Sequence, residues 1–122
     1  MGLHICAVVT RGSGSSSDHV EVVNDGAKPV PVGGLELTNC SGEQHEPVYT
    51  FPQGELGAGE TAYVYSKDGK SQRTHTGDLM LYAGLRASVW KDESHVAYLR
   101  RPDGRIIDTM HVGRPPRHPD GH

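Results

Sequence analysis

The sequence predicts an all-β sandwich of about seven to nine strands. Three observations lead there. Runs of five or six residues suited to strands recur along the chain with turn signals between them. Sixteen Gly and eight Pro in 122 residues suit a turn-rich fold, because both residues weaken helix interiors. No segment holds a 3.6-residue period over three turns. A small barrel is the alternative way to close such a sheet. The length suits one domain, and a hydrophobic share of 34% is enough for one modest core.

The elements follow in order. Residues 3–10 read as a first strand, with Ile5, Ala7 and Val9 alternating with His4, Cys6 and Val8. Residues 11–17 are a Gly/Ser loop. Residues 18–23 form a second strand, stopped by Asn24-Asp25-Gly26. Lys28-Pro29-Val30-Pro31-Val32 is an extended edge segment, since proline cannot donate to a central ladder. It is the first edge to consider for strand addition by a partner. Residues 35–40 form a third strand and 41–46 a polar loop. Residues 47–52 make a short strand, 53–60 a turn-rich link, 61–65 a strand and 71–77 a polar stretch. Residues 78–82 fit either one helical turn or a short strand.

The surest element is the closing hairpin. Residues 89–99 form its first strand, with Ala97 and Leu99 on one face and Val96 and Tyr98 on the other. Pro102-Asp103-Gly104 supplies turn chemistry. Residues 105–112 return as a β-branched strand. Trp90, the single tryptophan, stands at its entrance as a core anchor.

Charge and targeting signals bound the function. A formal net charge of −3 disfavours a general nucleic-acid binder, although Arg100, Arg101, Arg105, Arg114 and Arg117 gather late in the chain. The short apolar run at residues 5–9 lacks the basic flank of a secretory signal. No stretch reaches the ~20 apolar residues of a membrane-spanning helix. Gly2 follows Met1, but Cys6 stands where a myristoylation motif wants Ser or Thr. The default expectation is a cytoplasmic domain. Cys6 and Cys40 can pair or stay as buried thiols.

Eight histidines are the compositional oddity. His4 and Cys6, two apart on a strand, share a face and are both zinc-ligand types, yet no cluster supplies two further ligands. His118, Asp120 and His122 are denser and could hold a transition metal weakly. Gly12-Ser13-Gly14 lacks the strand-to-helix context of a nucleophile elbow and the lysine of a phosphate loop. Asp103 reads as turn chemistry. Asp108, among apolar residues, calls for a structural hydrogen-bond partner. These residues assemble no catalytic constellation, and no cofactor or metal site is assigned.

The order of these pieces resembles the lamin tail domain. Val20-Glu21-Val22-Val23-Asn24-Asp25-Gly26 with Pro29-Val30 is similar to that family's glutamate-bearing strand and Asn-x-Gly turn. Gly34-Leu35-Glu36-Leu37, then Phe51-Pro52 with Leu56 and Gly59, resemble its next two segments. Trp90, Leu99, Gly104, Ile106, Ile107 and Asp108 resemble its closing hairpin. Leu35 stands where the family often has Trp, and Ser94-His95 where it often has Gly-Asp. The resemblance implies an immunoglobulin-like sandwich over residues 1–112; residues 113–122 read, from composition, as a polar, Pro-rich tail. The resemblance also implies a non-enzymatic interaction or localisation module with a protein partner. The rival readings are a histidine-dependent metal-binding or enzymatic domain, and a nucleic-acid binder using the late arginines.

Two outcomes follow. Trp90→Ala is expected to cost about 3–5 kcal/mol in equilibrium denaturation; a loss under about 1 kcal/mol would put the ring on the surface. Deleting the tail from Gly113 is expected to leave the Tm nearly unchanged, because the tail lacks apolar anchors.

Overall fold

A computed structural model describes residues 2–9, 19–41, 44–65, 69–75, 77–84 and 95–111, with the backbone alone at 40, 41, 44–48 and 95. Trp90, Val112 and the tail at 113–122, with its Arg114, Arg117, His118, Asp120 and His122, lie outside the described residues.

The described chain is all-β. Its strands are β1 (Leu3–Val9), β2 (His19–Asn24), β3 (Val30–Pro31), β4 (Glu36–Ser41), β5 (Gln44–Thr50), β6 (Glu55–Leu56), β7 (Thr61–Tyr65), β8 (Gln72–Arg73), β9 (Leu79–Tyr82), β10 (His95–Arg100) and β11 (Ile106–His111). Eight have four residues or more, and β3, β6 and β8 are two-residue pairings. One sheet has the order β1-β2-β7-β9-β8, a second β11-β10-β4-β5, and β3 and β6 make a separate ribbon. The architecture is an immunoglobulin-like sandwich.

The core lies between the two sheets. Ile5, Val8, Val20, Val22, Ala62, Val64 and Leu81 come from the five-stranded sheet; Leu37, Ala97, Leu99 and Met110 come from the other. Val32, Leu35, Phe51 and Leu56 close the end from loops and ribbon. Alternation holds through β7 and β10, where every second side chain is buried, and through β2 as far as Val22, after which Val23 and Asn24 are both buried.

It fails in β1. Ile5 pairs with Val22 and Ala7 with Glu21, so Cys6 is an extra residue, a β-bulge. Residues Ile5 to Val8 are buried in succession, and of these Ile5 and Val8 join the core cluster on either side of the bulge. Simple alternation had also put His4 and Cys6 on one face. The extra residue breaks that relation.

Three further segments depart from the sequence reading. The expected polar loop at 41–46 is largely strand, because β4 reaches Ser41 and pairs back onto Gln44 in a hairpin. A polar strand is invisible to apolar periodicity, and β5 is an edge strand, which tolerates Pro47. The polar stretch at 71–77 contains β8. Residues 79–82 are a strand that runs parallel to β7, with Ala62 beside Leu79 and Tyr65 beside Tyr82.

The closing hairpin is as read over its described part. Ala97 and Leu99 are buried and Val96 and Tyr98 half-buried. In the turn, Asp103 Oδ1 accepts the Arg105 N–H at 2.9 Å, and Gly104 has φ +91°, which an L side chain resists. The hairpin tip leans on Gly34, where the Pro102 ring would lie 3.0 Å from an added Cβ. Asp108 has the partner its surroundings demand. Its Oδ2 accepts the Ile5 N–H at 2.7 Å across 103 residues of chain, tying β1 of one sheet to β11 of the other.

The junction below β2 is held by Asn24, which is fully buried. Its Nδ2 donates to Lys28 O and Leu56 O, both at 2.8 Å, and its Oδ1 accepts the Gly26 N–H at 3.0 Å. Its backbone bonds Glu60 O and the Gly59 N–H. Asn24→Asp is expected to cost at least about 3 kcal/mol, because it sets an oxygen against two buried carbonyls. Urea denaturation checks this. The loss is expected to shrink in acid, where a protonated carboxyl can donate once more.

Candidate binding surface

The outward side chains of β2, β7 and β9 form an aromatic face. Val20, Val22, Ala62, Val64 and Leu81 point into the core, so His19, Glu21, Tyr63, Tyr65, Met80 and Tyr82 point the other way. Strand register sets them in two rows, Val9–His19–Tyr65–Tyr82 and Ala7–Glu21–Tyr63–Met80.

The rings touch in sequence. His19 and Tyr65 centroids are 4.9 Å apart, His19 and Tyr63 5.9 Å. Tyr65 stacks on Tyr82 at 5.3 Å with an interplanar angle of 17°. The His19 Nε2 lies 3.0 Å from Glu21 Oε2. Such cross-strand ring pairs stabilise a sheet. They also leave a half-buried aromatic surface with a carboxylate beside it, which suits flat, extended or cationic ligands.

Burial pushes the Tyr63 hydroxyl above the ordinary tyrosine pKa of 10.0, with the Glu21 and Asp78 carboxylates adding to the effect. Burial also raises Tyr65, helped by Tyr82 and Glu21. Negative charge thus gathers around these rings.

At one margin of this face, Glu60 and Arg73 brace the β7–β9 connection. Arg73 Nη1 donates to Glu60 Oε1 at 3.1 Å and Gly77 O at 2.7 Å, and Nη2 donates to Glu55 O at 2.8 Å. Asp78 Oδ1 accepts the Thr61 N–H at 2.9 Å. Sequence reading passed over Arg73 and Asp78, which sit in a polar stretch without periodicity. A pocket of about 210 Å³ opens beside them, floored by Val32, Leu79 and Leu81 and rimmed by Gln53, Gln72 and Arg73. The Arg73 head is held by the contacts just given, so it is a poor anchor for a ligand.

The residues singled out for chemistry are scattered. His4 Nδ1 lies 3.0 Å from Asp25 Oδ2, whereas Cys6 is a buried thiol at the bulge. Among the described residues no group of three His, Cys, Asp or Glu side chains could hold a metal ion. Arg100 lies over the Tyr98 ring at 5.1 Å and donates to Thr38 Oγ1 at 3.3 Å, while Arg101 and Arg105 are exposed at the hairpin tip. The Lys28–Val32 edge is paired on one side, Val30 with Leu56 and Pro31 with Glu55. No helix among the described residues is long and apolar enough to cross a membrane.

With the sandwich, the Asn24 turn and the closing hairpin in place, comparison with known families is decisive. The family model for the Lamin Tail Domain matches residues 2–114. The chain belongs to the lamin tail domain family. No curated protein matches it. As a lamin tail domain it joins a non-catalytic, immunoglobulin-like fold family, and the Asn24 and hairpin motifs that carried the resemblance are the ones that hold its scaffold.

A raised tyrosine pKa means the fold favours the neutral phenol. The unfolded chain ionises first, so this contribution to stability is fully present below pH 10.0 and is lost as pH rises through the folded values. Spectrophotometric titration is expected to show phenols ionising above free tyrosine, with urea midpoints falling over that interval. Tyr63→Phe is expected to weaken the fall.

Proposed function

We propose that this lamin tail domain is a non-catalytic binding or scaffolding module that engages a protein partner through the outer face of its five-stranded sheet. The observation that carries this reading is the contiguous row His19–Tyr65–Tyr82, with Tyr63 and Glu21 beside it. Tyrosine supplies large contact area at little cost in side-chain entropy and is enriched at interfaces. The rings stay half-buried in the chain by itself, so a partner gains by covering them.

The catalytic alternative asks for a nucleophile, base and orienting group in one place, or for a metal with an open position. The best-placed titratable pair, His19 and Glu21, has tyrosine rings as its neighbours. That setting suits contact better than proton transfer to a substrate.

The test is quantitative crosslinking and capture with the intact chain against a Tyr63→Ser/Tyr82→Ser variant, its fold checked by circular dichroism. A partner held by the wild type is expected to be lost at least about tenfold, as for centrally placed interface tyrosines. Equal capture by both would remove the face from consideration. An activity screen with and without divalent metals runs alongside. Turnover that survives purification and disappears on changing one histidine, such as His95 or His111, would overturn the non-catalytic reading.

A further inference from the structure

On the reading that the outer face of the five-stranded sheet is a docking surface, its chemistry narrows the occupant. Tyrosine rings next to carboxylates favour a guanidinium, through cation–ring attraction and ion pairing. Rings in a row also favour proline, whose flat face and preset extended backbone lose little entropy on docking. The chain itself contains such a segment, Arg114-Pro115-Pro116-Arg117.

The topology puts the start of that segment close to the rings. Leu3 of β1 pairs with Asn24 at one end of the sandwich, and Val9 pairs with His19 at the other. Strand β11 starts at the first end. Its Ile106 pairs with Arg100, which pairs with Glu36, next to the Gly34 on which Pro102 rests. The bond from Ile5 N to Asp108 Oδ2 places the two strands side by side. Both therefore run the same way, and His111 ends β11 near Val9 and His19. From Val9 to Tyr82 the row crosses three strand spacings, roughly 14 Å at ~4.8 Å each. Pro116 is the fifth residue beyond His111, and five residues of extended polyproline geometry reach roughly 16 Å at ~3.1 Å each.

We propose that the Arg114-Pro115-Pro116-Arg117 segment of this chain docks across the His19–Tyr65–Tyr82 row, prolines against the tyrosine rings and a guanidinium at the Glu21 carboxylate. The segment then acts as a built-in ligand that competes with any partner for the face. Exposed cation–ring contacts are weak, so docking is consistent with a tail that folding does not require.

Proton NMR on the full chain tests this. In the wild type at low salt, the Pro115 and Pro116 ring protons are expected upfield of random-coil positions, from ring currents. Tyr65→Leu/Tyr82→Leu is expected to return them to random coil. Arg114→Ala/Arg117→Ala is expected to move the Tyr82 ring signals while circular dichroism stays unchanged. Proline protons at random-coil positions in the wild type would overturn the proposal. Shifts that appear only as protein concentration rises would also overturn it, in favour of the same segment from a second copy. If the proline signals are unshifted while the Tyr63→Ser/Tyr82→Ser variant still loses its captured partner, the occupant is wrong and the binding face stands. If that variant also captures normally, both readings fall.

Discussion

Much of this fold hangs on how one buried amide is satisfied. Asn24 ends β2 inside the protein, where an unpaired polar group costs several times a net hydrogen bond. Its side chain spends both donors on carbonyls, one of Lys28 before β3 and one of Leu56 in β6, and its oxygen on the turn that follows. Its backbone takes the start of β7 through Glu60 and Gly59. Asparagine alone offers two donors and an acceptor on so short a stem. The crossing from one sheet to the other, the ribbon that caps the core with Val32 and Leu56, and the entry to β7 all meet at this residue.

The other end of the arrangement is β1, which belongs to one sheet by pairing and to the other by the Asp108 bond. The Cys6 bulge makes this workable. An extra residue twists the strand locally and re-aims its side chains, so Ile5 and Val8 can both face the core. A sandwich is open at its edges, and a strand bonded to both sheets closes one of them. At the opposite edge, between β8 and β5, the Ser71 side chain hydrogen-bonds Tyr49.

The outer face follows from the same registers. Once Val20, Val22, Val64 and Leu81 are committed to the core, period-two geometry forces His19, Tyr63, Tyr65 and Tyr82 outward and into line. Their alignment is a consequence of the β2–β7 and β7–β9 pairings, the second of which is parallel. The face therefore sits on three hydrogen-bonded strands, which suits a binding surface better than a mobile loop does.

The sequence by itself determined the all-β class, the Asn24 turn, the family and the closing hairpin with its Asp103 and Gly104 chemistry. Each of these rests on local signals: periodicity, turn residues, and a carboxylate among apolar neighbours. What only the tertiary structure decided lies between segments. The Cys6 bulge depends on the partner strand, since β1 taken separately alternates and gives no sign of an extra residue. The 44–46 part of β5 and the β8 pairing are polar and gain their order from neighbours rather than from an apolar stripe. Arg73 and Asp78 became anchors through carbonyls and an N–H far along the chain. The aromatic row was hidden for the same reason: His19, Tyr65 and Tyr82 are spread over 64 residues of sequence, and no local period relates them until backbone hydrogen bonding sets three strands side by side.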